Sequence, residues 1–65
     1  MDILKIMQEI GQKYGIDPDS LEAGAFKPSE MVQLSALYQQ WQKLGTEECA
    51  RLYIEQKAKY IKARK

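Results

Sequence analysis

Between Ser29 and Lys65 the chain holds one residue that readily breaks a helix, Gly45. On each side of it, apolar side chains recur every three or four positions, the spacing of one helical face. Before it, Met31, Leu34, Leu37, Tyr38, Trp41 and Leu44 fall within about 140° of arc. After it, Ala50, Ile54 and Ile61 form a stripe flanked by Tyr53 and Ala58. Thr46 is a good N-cap for the second segment, and Glu47 and Glu48 suit its first turn. A connection this short makes the two segments an antiparallel hairpin.

The first half of the chain adds one helix and a fragment of another. Ile3, Ile6, Met7, Ile10 and Tyr14 share a face, with Lys5, Gln8, Glu9 and Gln12 on the other side. Asp2 stands where the helix dipole favours an acid, and Gly15 can turn left-handed so that Ile16 folds back. Asp17 before Pro18 reads as an N-cap with proline at the first helical position, and Gly24 ends the short helix that follows. Phe26 is the one bulky apolar residue before Pro28 and is expected to plug the core. No segment shows period-two alternation.

The expectation is therefore all-α: a small three-helix bundle with a short extra turn, as a single domain over residues 1–65. The helices should occupy about residues 2–14, 17–23, 28–44 and 47–64. A chain this short buries only about 60% of the surface its unfolded form exposes. The usual supplements are missing from it. There is no histidine, and Cys49 is the lone cysteine, so neither an internal disulfide nor an ordinary zinc site can form. A partner chain is thus expected on size alone. With 45% hydrophobic and 29% charged residues, the composition suits a folded domain rather than a disordered segment. The opening MDILKIMQEIG has an acid where a secretory signal is basic, and its apolar run is interrupted too often to span a membrane. With one unpaired thiol, a cytoplasmic location is the expectation.

The net charge of +1 conceals a split. Residues 1–50 carry four cations and eight acids, whereas residues 51–65 carry six cations and one acid. Within the second block, Tyr53, Lys57, Tyr60 and Arg64 follow one another at spacings of four, three and four, so ring and cation alternate along one face. In one reading that line borders the core, with the stems of Lys57 and Arg64 packed on the tyrosines. In another it is a recognition surface, the cations contacting phosphates and the rings stacking on bases. Leu52 points away from the core stripe, and the far side of the second long helix, with Gln33 and Gln40, is polar but almost uncharged. Leu4 and Val32 also fall outside their stripes.

Several motifs break down at particular residues. A helix-turn-helix needs a small residue before the turn glycine and an apolar one after it, where this chain has Trp41 and Arg51. Asp19, Ser20 and Leu21 form a tripeptide similar to the attachment site of acyl carrier proteins, in which the serine carries phosphopantetheine. Gly24 and Pro28 interrupt the helix that should follow, and residues 51–65 are basic where those proteins are acidic. Asp17, Asp19 and Glu22 lack the glycine and closing glutamate of a calcium loop. Cys49 has no histidine to serve as its base and is expected to be a buried small residue. Met31, Tyr38 and Trp41 could line a ligand pocket, but at helical spacing they are expected in the core, and so small a bundle has little room for a cavity.

Without a nucleophile–base pair, metal cluster or cofactor fingerprint, the sequence points to a non-enzymatic macromolecular binding module that uses no cofactor. The leading expectation is protein–protein interaction with self-association, through Gln33, Gln40 and Leu52, leaving the basic helix for an anionic partner. The alternative is nucleic-acid binding through Arg51, Tyr53, Lys57, Lys59, Tyr60, Lys62, Arg64 and Lys65.

Overall fold

The structure, a computed structural model, describes residues 2–23 and 26–64. Among these residues are four helices and no strand: α1 (Ile3–Tyr14), α2 (Pro18–Ala23), α3 (Pro28–Leu44) and α4 (Glu47–Ala63). The expected stop at Gly24 and the cation Lys65 lie outside the described residues.

Local chemistry sets each boundary. Asp2 caps α1 by accepting the Lys5 N–H at 3.2 Å. Gly15, with φ of 67°, turns the chain left-handed, and the Ile16 N–H then donates to the Gly11 carbonyl at 2.7 Å. Asp17 accepts the Asp19 N–H at 3.0 Å and opens α2. The Glu30 carboxylate reaches back to the Lys27 N–H at 2.8 Å, closing the first turn of α3. Gly45, with φ of 64°, donates to the Trp41 carbonyl at 2.7 Å, and Thr46 accepts the Cys49 N–H at 3.3 Å. Together the last pair reverses the chain between α3 and α4.

The buried cluster comprises Ile6, Ile10, Ile16, Leu21, Ala50, Ile54 and Ala58. All of it comes from α1, α2, α4 and the turn after α1. Ala50 and Ala58 are completely buried, and their small side chains let α1 approach the α4 backbone closely. Gly11 lets the turn after α1 and Pro18 of α2 approach α1 in the same way. A β-carbon there would sit 2.6 Å from the Ile16 carbonyl oxygen, which only glycine avoids.

Helix α3 departs from expectation. It packs on α4, and its backbone does not come close to that of α1 or α2. Of its apolar stripe only Leu34 is buried, whereas Met31 is 57%, Tyr38 45% and Leu44 56% exposed. A helical wheel locates an apolar side without saying how much of it another element covers; here α4 covers a strip along one edge. Phe26 also stays out of the core. It is half-buried, its ring edge-on to Tyr60 with centroids 6.4 Å apart, while Leu21 and Ile16 fill the interior position expected for it. The molecule is consequently flat, 32 × 27 × 15 Å, with α4 flanked by α1 on one side and α3 on the other.

Candidate docking trough

Because α1 and α3 grip opposite flanks of α4 with their backbones apart, an open trough runs between them. Tyr53, Ile54 and Lys57 of α4 form its floor. Ile3, Leu4 and Met7 make one wall, with Leu21 at its foot, and Tyr38 and Trp41 make the other. The volume is about 420 Å³. A second hollow of about 330 Å³ continues it along α3, between Phe26, Met31, Leu34 and Ser35. Tyr38, Tyr53 and Lys57 line both and form the saddle between them.

These volumes run against the expectation that so small a bundle has little room for a cavity. Met31 and Tyr38, placed in the core from their spacing, are exposed and line open apolar space because α3 lacks a second neighbour, whereas Trp41 lines the same space and packs against the core as expected. The aromatic wall is braced internally. The Tyr38 centroid lies 5.9 Å from Trp41 and 5.5 Å from Tyr53, and Trp41 and Tyr53 are 6.0 Å apart. Three rings in mutual contact lose little freedom when a ligand covers them, so they suit recognition.

The described residues singled out from the charge split separate into four groups. Tyr53 and Lys57 lie in the trough, the ammonium 4.8 Å from the Tyr53 centroid and 5.9 Å from that of Phe26. Tyr60 and Arg64 stand beyond them around Phe26, where Arg64 lies 5.2 Å from the ring centroid and pairs with Glu30. On the α1 side, Arg51 bridges to Glu9 at 2.9 Å, with Glu47 at 4.0 Å, and the Lys62 ammonium sits 5.7 Å from the Tyr14 ring centroid. Lys59 is exposed on the far side of α4. The alternation of ring and cation is present, but its rings and charges engage one another and Phe26.

On that far side Gln33 and Leu52 meet in a shallow depression of about 170 Å³, together with Leu37, Glu55, Gln56 and Lys59. Gln40 is exposed outside it. Leu52 and Lys57 are about 140° apart around α4, so depression and trough occupy different faces of the hairpin.

Two carboxylates are held below the usual range. A hydrogen bond from the Tyr14 hydroxyl, at 2.7 Å, is the main cause for Glu55, with Lys13 at 3.3 Å adding to it; the same bond raises Tyr14. For Glu30 the main cause is the Lys27 N–H, followed by Arg64. Cys49 is buried in the first turn of α4. Ser20 is exposed in the six-residue α2 and does not open a long helix. Among the described residues no group of three His, Cys, Asp or Glu is placed to hold a metal ion, and no helix is long and apolar enough to cross a membrane.

No family model, curated protein or solved structure matches the chain.

Proposed function

We propose that this protein is a non-enzymatic interaction module that receives an amphipathic helix of a protein partner in the trough over α4. The observation that carries this reading is the position of the trough, open along α4 between two helices whose backbones stay apart. Neighbouring helices pack about 8–10 Å apart, so a slot bounded by two of them and floored by a third has the form of an unfilled helix position. Its lining of leucine, methionine and aromatic side chains is the type that takes helical anchors at positions i, i+3 or i+4, and i+7. Filling it would cover Leu4 and Tyr38, and Met31 at its extension, three of the exposed large apolar side chains.

The test uses the chain's single tryptophan, which stands in the trough wall. Amphipathic helical peptides free of tryptophan should shift Trp41 emission saturably at micromolar concentration. Leu4→Gln and Met31→Gln, both at exposed positions, should weaken that response while leaving the circular dichroism spectrum intact. If no such peptide perturbs Trp41, the reading is abandoned.

Self-association is a separate proposal, attached to the Gln33–Leu52 depression and supported by the exposure of Leu52. A solution mass above 7.5 kDa that rises with concentration would support it. Nucleic-acid binding along α4 draws less support, because Arg51, Lys57, Lys62 and Arg64 already contact acids or rings within the fold. A reducing compartment suits the unpaired Cys49.

A further inference from the structure

We infer that the helix taken by the trough carries a carboxylate in the middle of its apolar face, seated against Lys57. This rests on the docking reading above and adds to it the chemistry of the partner.

Lys57 occupies the saddle, lining both the main trough and its extension toward Met31. Any helix long enough to use both hollows must pass over it. Lys57 is half-buried, and its ammonium faces the rings of Tyr53 and Phe26. Three cations have acids within the fold: Arg51 has Glu9, Lys13 has Glu55 and Arg64 has Glu30. Lys57 differs from the other described lysines in standing over apolar space, where it lines both hollows. Among the residues whose side chains the structure describes, none supplies a carboxylate to Lys57.

Ring faces stabilise an ammonium modestly while water reaches its other side. A helix laid over the trough removes that water. A wholly apolar face would then cover a charge with no ionic partner, a strongly unfavourable arrangement. A glutamate or aspartate on the inner face reverses the balance by pairing with the ammonium as it is desolvated. With a hollow on each side of the saddle, the pattern that fits is apolar anchors at i and i+7 with the acid at i+3 or i+4. A second copy of this chain does not supply that pattern. None of α1, α3 and α4 has apolar residues at i and i+7 with an acid at i+3 or i+4: Ile6 with Glu9 runs on to Lys13, and Leu52 with Glu55 to Lys59. The occupant is therefore a helix of a different protein.

Three tryptophan-free amphipathic peptides of about 18 residues, long enough to form helix, test the inference. They share leucine anchors at i and i+7 and differ only at i+4, which is glutamate, glutamine or lysine. Affinity is read from Trp41 fluorescence at low salt. The glutamate peptide should bind about tenfold more tightly than the glutamine peptide, and the lysine peptide most weakly. In Lys57→Met the preference should shrink to within about twofold, and in Lys57→Glu its order should invert. The peptide-side comparison uses the unaltered protein, so it stands whether or not a variant folds. Equal binding of the glutamate and glutamine peptides overturns the carboxylate while leaving helix docking in place. Failure of all three to bind overturns both.

Discussion

The Tyr14 hydroxyl donates to Glu55 across 2.7 Å, joining the last turn of α1 to the middle of α4. Glu55 is the one acid in the basic run of residues 51–65, and the fold gives it both Tyr14 and Lys13 as partners. A carboxylate whose folded pKa is depressed adds stability above its unfolded pKa and loses it as pH falls through the folded one. For Glu55 that loss comes on the acid side of the ordinary glutamate range. Tyr14→Phe removes the main cause of the shift. The Glu55 titration, followed by carboxyl-carbon NMR, should move up toward the ordinary glutamate range. The drop in urea midpoint between about pH 5 and pH 3 should also be smaller than in the parent chain.

Gly11 makes a prediction that opposes helix propensity. In an exposed helix interior, glycine to alanine gains about 1 kcal/mol. Here the added β-carbon would meet the Ile16 carbonyl oxygen at 2.6 Å, and that atom is backbone held by the turn at Gly15. Relieving the clash means moving Ile16 and Pro18 off α1, at a cost of roughly 1–3 kcal/mol. Gly11→Ala should therefore destabilise the protein by about 1 kcal/mol net, lowering the melting temperature by roughly 4–8 °C. A melting temperature equal to or above that of the parent would show that the turn can give way.

The uneven covering of α3 can be measured by contrast. Leu34, 6% exposed, anchors the first half of the helix on α4, and Leu34→Ala should cost about 2–3 kcal/mol in a denaturant titration. Met31, one turn earlier on the same stripe, should tolerate glutamine within about 0.5 kcal/mol. Comparable losses at the two positions would mean that α3 is covered more fully than its packing on α4 alone allows.

Helix boundaries could be read from the sequence because the residues that set them act locally. Asp2, Gly15, Asp17 with Pro18, and Gly45 with Thr46 each satisfy or release backbone groups within a few residues of themselves. The trough could not, because it depends on an absent contact. The wheel places Tyr38 and Trp41 beside Leu34 whether or not α1 arrives to cover them. Phe26 was misplaced for a related reason: its partners Tyr60, Lys57 and Arg64 lie more than thirty positions away. The role of Gly11 had a sequence signal, a glycine inside an otherwise regular helix, which marks a close approach more often than a break. Of the basic residues, the spacing correctly put Lys57 beside Tyr53; it could not show that Arg51 and Lys62 turn toward α1.

Engagement of the α4 cations within the fold also limits their response to polyanions. A surface neutralising four to six phosphates would show a slope of log affinity against log salt of about −3 to −5. With Arg51 on Glu9, Arg64 on Glu30 and Lys57 in the trough, a short single-stranded RNA should give a slope no steeper than about −2. A steeper slope, together with quenching of tyrosine emission, would revive the reading in which α4 is a nucleic-acid surface.

The trough and the Gln33–Leu52 depression make two predictions that can be separated, because they lie on different faces of the hairpin and share no lining residue. Leu52→Lys places a cation between Glu48, one turn before it, and Glu55, one turn after it, so the helix itself should tolerate the change. It should suppress any concentration-dependent rise in light-scattering mass and leave peptide-induced changes in Trp41 emission as they were. Leu4→Gln should do the reverse. Independent sites this far apart act additively, so the double variant should lose both behaviours by the amounts the single variants lose separately. If Leu52→Lys instead weakened peptide binding, the two faces would belong to one interface, and a partner would have to wrap the edge of α3 to reach both.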